Sequence, residues 1–298
     1  MALRTDNNRR VVGVRAVTLR TPGMQPVDSN EAPVHDRTAR LNNYDVEALA
    51  GKHVVMVGAG GLGGEIGHGL ERDGIGNLTI CDADTVQLSN LNRQRFYPRN
   101  LYKNKALELA KELVAEATQP GTITGLAMNI QQAIDSGLVG TPDLIIAGVD
   151  NNAARVYVAR WALEHGIPAI FTAVNTDADR GYVFVQTSRP GDPCYGCLFP
   201  DALNTDRQAP MPCAVGSSLD ILKVMGGMMG FAVGAILMPA RRLGWHYKEV
   251  SLAGGAPDGI RVIKRRDNCP LCSAMNRARS AQFEALKARL ATDQERGQ

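Results

Sequence analysis

The chain has 298 residues, 44% apolar and 21% charged, so it can bury a sizeable core and is neither a disordered nor a fibrous polymer. Basic side chains number 33 and acidic ones 30, and the resulting net charge of +3 makes no electrostatic case for a nucleic-acid or membrane partner. Residues 1–20 hold five arginines and no apolar run of signal-peptide length, so a cytoplasmic protein is expected.

In chain order, residues 1–40 are poor in large apolar side chains and read as an N-terminal extension, with one weak strand pattern over 11–19. Regular punctuation starts after Leu41. His53–Val57 predicts a buried strand, and Gly58-Ala59-Gly60-Gly61-Leu62-Gly63 predicts a glycine turn opening a helix. A second strand over 78–81 ends at Asp82. Residues 103–118 predict a helix, since Ala106, Leu109, Ala110, Leu113 and Ala117 recur at three- and four-residue steps. A strand over 143–147, a helix over 152–164 and a strand over 167–174 continue the alternation.

Further strands at 182–186, 249–252 and 260–263 suggest an antiparallel C-terminal part. The uncharged stretch 224–240 falls short of the roughly 20 apolar residues a membrane span needs, and glycines dilute it. It predicts a buried helix whose Gly226, Gly230 and Gly234 share one face, suited to a crowded core or a subunit contact. The tail, 273–298, predicts a further helix outside the main domain, 41–272. Together these elements specify an α/β fold: a Rossmann-like, doubly wound, mostly parallel sheet with helices on both faces.

The glycine turn after a strand brings backbone N–H groups and a helix N-terminus against an anion, and Asp82 is placed to hold a ribose hydroxyl. Those two features serve a nicotinamide oxidoreductase as well as an ATP-binding enzyme. The residues that follow separate the two. Asp84, Arg93, Lys105, Asp150-Asn151 and Arg155 cluster at the ends of successive elements, and hydride transfer has no use for such a set. Arg93 and Lys105 can neutralise a triphosphate, and Asp150 is a hard oxygen ligand suited to magnesium.

Four cysteines make a second constellation. Cys194-x-x-Cys197 and Cys269-x-x-Cys272 supply the four thiolates that tetrahedral zinc takes, a closed shell with no open position and therefore structural. Redox pairs or disulfides are the competing reading. Cys81 reads as a small buried hydrophobe, whereas Cys213 stands in a polar loop before the glycine-rich helix, where a thiol pKa is depressed.

The combination Gly58-x-Gly60-Gly61-Leu62-Gly63, Asp82-x-Asp84, Asn90-Leu91-x-Arg93-Gln94 and Asp150-Asn151 resembles the ThiF/MoeB/HesA adenylyltransferases, relatives of ubiquitin-activating enzymes, over roughly residues 50–272. The resemblance implies that glycines of the turn cradle phosphates and that Asp82 binds ribose. It implies further that Asn90, Arg93, Gln94 and Lys105 surround the triphosphate, and that Asp150 holds magnesium. It also implies two zinc knuckles, a homodimer, and a small ubiquitin-like or sulfur-carrier protein ending in Gly-Gly as the acid to be activated by ATP. Some members transfer the acyl group to a cysteine near the place of Cys213. Two departures stand out: the arginine expected upstream has only Arg37 and Arg40 as candidates, and Tyr102 occupies the place of a glycine before Lys105. The expected activity is ATP-dependent adenylation of a protein C-terminus; a noncatalytic pseudoenzyme subunit and an NAD-dependent oxidoreductase are the alternatives.

Overall fold

The structure is a computed structural model that describes residues 15–24, 31–203, 217–254 and 259–273. One nine-stranded sheet organises it. The strands are β1 (Ala16–Pro22), β2 (His53–Val57), β3 (Asn77–Cys81), β4 (Pro120–Leu126), β5 (Leu144–Ala147), β6 (Ala169–Val174), β7 (Arg180–Gln186), β8 (Tyr247–Ser251) and β9 (Gly259–Arg261). Their order is β1-β4-β3-β2-β5-β6-β7-β8-β9. The five strands from β4 to β6 run parallel, and β1, β7, β8 and β9 join antiparallel. The expected parallel section and antiparallel C-terminal part are both present. Within the stretch read as an extension, β1 pairs along its whole length with β4.

The central parallel strands β2 and β5 are rich in Val, Ile and Leu and buried on both faces, as a doubly covered sheet requires. Helices α1 (Asp36–Ala39), α2 (Val46–Ala50), α3 (Gly61–Asp73), α4 (Lys105–Glu116), α5 (Ile130–Asp135), α6 (Asn152–His165), α7 (Tyr195–Leu198) and α8 (Leu219–Leu237) complete the order. On one face, Ile66 and Leu70 of α3, Leu109 and Leu113 of α4, and Met225 and Met229 of α8 form a core with Met56 and Ile80. On the other, Val158, Ala162 and Leu163 of α6 pack with Val55, Ile145 and Phe171, and this core runs on into the four cysteines.

Helix α8 is long and apolar enough to cross a bilayer, yet it packs on α3 and on β6 and β7. Gly226 serves the crowded core, since a Cβ there would stand 3.0 Å from Glu65 Cβ, whereas one on Gly230 would make an ordinary 3.7 Å contact with Asp73 Oδ2. The tail helix predicted over 273–293 lies, from residue 274, outside the described residues.

The lower edge of the central strands is pinned by Asp143. Its carboxylate accepts from the His53 N–H at 2.8 Å and from Lys52 Nζ at 3.0 Å, tying the start of β5 to the start of β2. Partial burial pushes this carboxyl up, but the donors outweigh burial and hold it below the usual carboxylate range. A depressed carboxylate contributes stability that is present above its unfolded pKa and lost as pH falls through its folded one. Asp143→Asn is therefore expected to lower unfolding free energy at neutral pH. Urea titrations of variant and parent should converge as pH drops below about 4.

Candidate functional site

The chain leaves β2 toward β3 and β4 on one side and returns as β5 on the other, so a crevice must open where the strand order reverses. There the structure has a cleft of about 560 Å3. Gly58, Gly60, Gly61, Asp82, Asp84, Arg93, Gln94, Lys105, Asp150 and Asn151 all line it. These residues come from separate stretches of sequence, and the fold gathers them.

The floor is the turn from β2 into α3. Gly58 has φ +100, a left-handed conformation that glycine adopts without strain, and its N–H donates to the Cys81 carbonyl at 2.9 Å. Helix α3 has Gly60 at its N-cap, so no side chain caps it, and its first turn holds no acidic residue. Its leading N–H groups are the ones an anion can satisfy. Gly63 does not line the cleft; a Cβ there would stand 2.1 Å from the Gly58 carbonyl oxygen, so its role is close approach.

Asp82 stands at the end of β3. Its Oδ2 accepts from the Ala59 N–H at 2.7 Å and its Oδ1 from the Asp84 N–H at 2.8 Å. A carboxylate has about four lone-pair sites, so two remain for a sugar hydroxyl. Burial pushes its pKa up, against the opposing pull of the two N–H donors and Lys105. Lys105, the first residue of α4, pairs with Asp84 at 3.0 Å. Asn104 caps that helix by accepting from the Leu107 N–H at 3.0 Å, and its amide donates to the carbonyls of Asp82 and Asp84.

Arg93 is held by neutral acceptors, the Ser89 carbonyl at 2.7 Å and Asn92 Oδ1 at 2.9 Å, and has no carboxylate partner among the described residues. Asn90, expected at the triphosphate, instead sits buried behind the cleft. Its Oδ1 accepts from the Gln87 N–H, and its carbonyl accepts from the N–H groups of Arg93 and Gln94. It shapes the turn that presents those two side chains. Asp150 is exposed at the cleft rim, and Asn151 caps α6 by accepting from the Ala154 N–H at 2.8 Å.

Two buried polar atoms of this cleft lack protein partners: Gln94 Oε1 and Arg155 Nε. A buried polar group left unpaired costs about 1–3 kcal/mol, so the pair fits a polar ligand that satisfies them. Arg155 is 8% exposed, and its guanidinium donates to the Val149 carbonyl. The sequence also left unassigned Asn129, Ile130 and Gln131, which line the cleft from the N-cap and first residues of α5.

The four cysteines converge as the spacing required. All four Sγ atoms lie within 4.8 Å of one another and all four residues are buried. The sulfur separations of 3.5 Å (Cys194 to Cys269) and 3.7 Å (Cys194 to Cys197, and Cys197 to Cys272) exceed a disulfide bond. They match the roughly 3.8 Å edge of a tetrahedron built on zinc–sulfur distances of about 2.3 Å. The Arg266 N–H donates to Cys197 Sγ at 3.4 Å, the kind of outer contact that steadies a thiolate. Cys213 lies outside the described residues. Arg37 and Arg40 both lie against Asp36 at the surface.

Fold and cleft define a nucleotide-binding α/β protein built to handle phosphates. Within that class the chain belongs to the ThiF family, which residues 35–271 match. It is similar to the molybdopterin-synthase adenylyltransferase of Escherichia coli, 28% identical over 228 residues that cover 72% of this chain and 90% of that protein. It is also similar to the sulfur carrier protein adenylyltransferase of Thermus thermophilus, 30% identical over 251 residues, 76% of this chain and 84% of that one. Among solved structures, E. coli MccB with ATP shares the fold at a TM-score of 0.63 and 19% identity, covering 76% of this chain and 68% of its own.

Tyr102, where the family pattern has glycine, adopts φ +64 with a side chain 80% exposed. The backbone keeps the left-handed turn before Lys105 and the tyrosine bears its steric cost. Tyr102→Gly should stabilise the protein by up to about 1 kcal/mol, relief of strain being partly offset by the freer unfolded chain. A higher urea midpoint at unchanged slope is the expected reading.

Proposed function

We propose that the protein adenylates the C-terminal carboxylate of a small ubiquitin-like or sulfur-carrier protein ending in Gly-Gly, releasing pyrophosphate. The observation that carries this reading is the convergence, in one cleft, of the uncapped α3 N-terminus with Arg93, Gln94, Lys105 and Asp150. The names of the curated relatives, adenylyltransferases of molybdopterin synthase and of a sulfur carrier protein, supply the kind of acid.

The chemistry needs no general base, because a carboxylate is already ionised at neutral pH. One carboxylate oxygen attacks the α-phosphorus of ATP; the bond to the bridging oxygen breaks, and pyrophosphate departs with the electron pair. The protein's share is alignment and stabilisation of charge on the departing group. Asp82 would fix the ribose, the α3 N–H groups and Arg93 the phosphates, and Lys105 would leave Asp84 for phosphate oxygen. Asp150 is the oxygen ligand suited to magnesium, which would supply charge neutralisation there. Transfer of the acyl group to the Cys213 thiol, with release of AMP, is the step that sequence position supports for that residue. A homodimer in the reducing cytoplasm completes the proposal, in keeping with unpaired cysteines.

ATP–pyrophosphate exchange, run with candidate carriers, tests the activity. Arg93→Ala and Asp150→Ala should each lower the exchange rate by about two orders of magnitude while leaving the melting curve in place. Exchange at the parental rate in either variant would refute the assignment. We propose that the four-sulfur cluster holds one structural zinc, with an apparent contribution on the order of 10 kcal/mol to the fold. Elemental analysis should find one zinc per chain. Cys272→Ser should lose it and melt at lower temperature; a metal-free parent with the same melting temperature would contradict this.

A further inference from the structure

The four-cysteine cluster and the nucleotide cleft are joined by one side chain. Tyr195, between Cys194 and Cys197, is 1% exposed, and its ring packs on Phe171 and Phe199 at centroid distances of 4.7 and 5.0 Å. Its N–H donates to Gln186 Oε1 at 3.0 Å, so backbone and ring are both fixed. Its hydroxyl reaches the first turn of α6 and donates to Asn152 Oδ1 at 3.3 Å. That asparagine oxygen also accepts from Arg155 Nη1 at 3.2 Å. The other arm of Arg155 donates to the carbonyl of Val149, the residue before Asp150; Arg155 lines the cleft, and its Nε is buried without a protein partner.

Three buried or half-buried groups thus run from the sulfurs to the magnesium-side rim. A residue needed only to fill space between two cysteines would not have to end in a hydroxyl, nor to send that hydroxyl to the acceptor that orients an arginine of the cleft. We infer that Tyr195 is a positioning residue: fixed between the two cysteines by Phe171, Phe199 and Gln186, it orients Asn152 and Arg155, and through them the Gly148–Asp150 turn that meets the nucleotide. The inference rests on the reading of the cleft as an ATP site. The cysteine cluster then does more than staple the C-terminal segment to the sheet, since its geometry reaches the phosphates.

The test uses the full chain with metal bound. Tyr195→Phe keeps the ring and loses only the hydroxyl, so metal content and melting temperature should stay at parental values. Its dissociation constant for magnesium–ATP, measured by calorimetry, should rise roughly fivefold, the size expected for one lost net hydrogen bond. Adding Asn152→Asp to that variant supplies a charged acceptor that holds Arg155 without the hydroxyl, and should recover most of the affinity. Parental affinity in Tyr195→Phe, or no recovery in the double variant, overturns the proposal. If Tyr195→Phe loses its metal, Arg155→Lys carries the test away from the sulfurs: weaker ATP binding with full metal content supports it, and unchanged binding overturns it. Failure of the parent itself to bind ATP would overturn the nucleotide reading, and this proposal with it.

Discussion

Asp82 holds two loops apart and in register with a single carboxylate. One oxygen accepts from the glycine turn at Ala59 and the other from its own loop at Asp84, so the end of β3 dictates where α3 begins. Asn104 extends that control. Its amide donates to the carbonyls of Asp82 and Asp84 while its oxygen caps α4, and Lys105 emerges from the helix start that this fixes. Without the carboxylate the turn N–H and the loop N–H would both need new partners in a partly buried place. The arrangement of the glycine turn, Asp84 and Lys105 around the cleft therefore depends on a short polar chain at one strand end.

The same logic explains why so few charges in the cleft are paired with one another. Arg93 rests on a carbonyl and an amide, and Arg155 on a carbonyl and an amide, so each keeps its full charge for a ligand. Lys105 is the exception; its side chain is only 12% exposed, but its partner Asp84 is 71% exposed, and solvent screens that carboxylate's hold on it. A polyphosphate can therefore draw Lys105 away at small cost. Cations oriented by neutral acceptors before the ligand arrives are what electrostatic preorganisation requires.

The parts of this design visible in the sequence were those that sit beside strong local signals. The β2 strand, the glycine turn and the 103–118 helix were legible because apolar period and glycine spacing agree; Lys105 and Asp150 were legible because one opens a helix and the other follows a strand end, and Arg93 because it stands in the Asn90-Leu91-x-Arg93-Gln94 run. Strand β4 was not. Its sequence, PGTITGL, has a proline, two glycines and two threonines, and Gly125 is there because a Cβ would stand 2.6 Å from the Ala106 carbonyl oxygen. Losing β4 hid the segment directly after it, including Ile130 and Gln131 at the cleft. Asn90 was misplaced for the opposite reason: a polar residue inside a recognisable motif can serve the motif's backbone rather than its ligand. The paired Cys-x-x-Cys spacing announced the cluster, but nothing local to Tyr195 announces a contact 43 residues away with Asn152.

Helix α8 shows how hydropathy alone misleads about such a stretch. Its composition would suit a bilayer, but it packs along α3, and what Gly226 admits is Glu65 rather than lipid. The approach has a functional end. At the head of α8, Leu222 lies where a Cβ on Gly61 would stand only 2.4 Å from its Cδ1, so the apolar helix seats the phosphate-facing turn of α3 directly. Ser217 and Leu222 both line the cleft. The apolar helix thus braces α3 along its length and walls the cleft at its own N-terminal end. That double duty accounts for a run of small and apolar residues with no charge between Lys223 and Arg241.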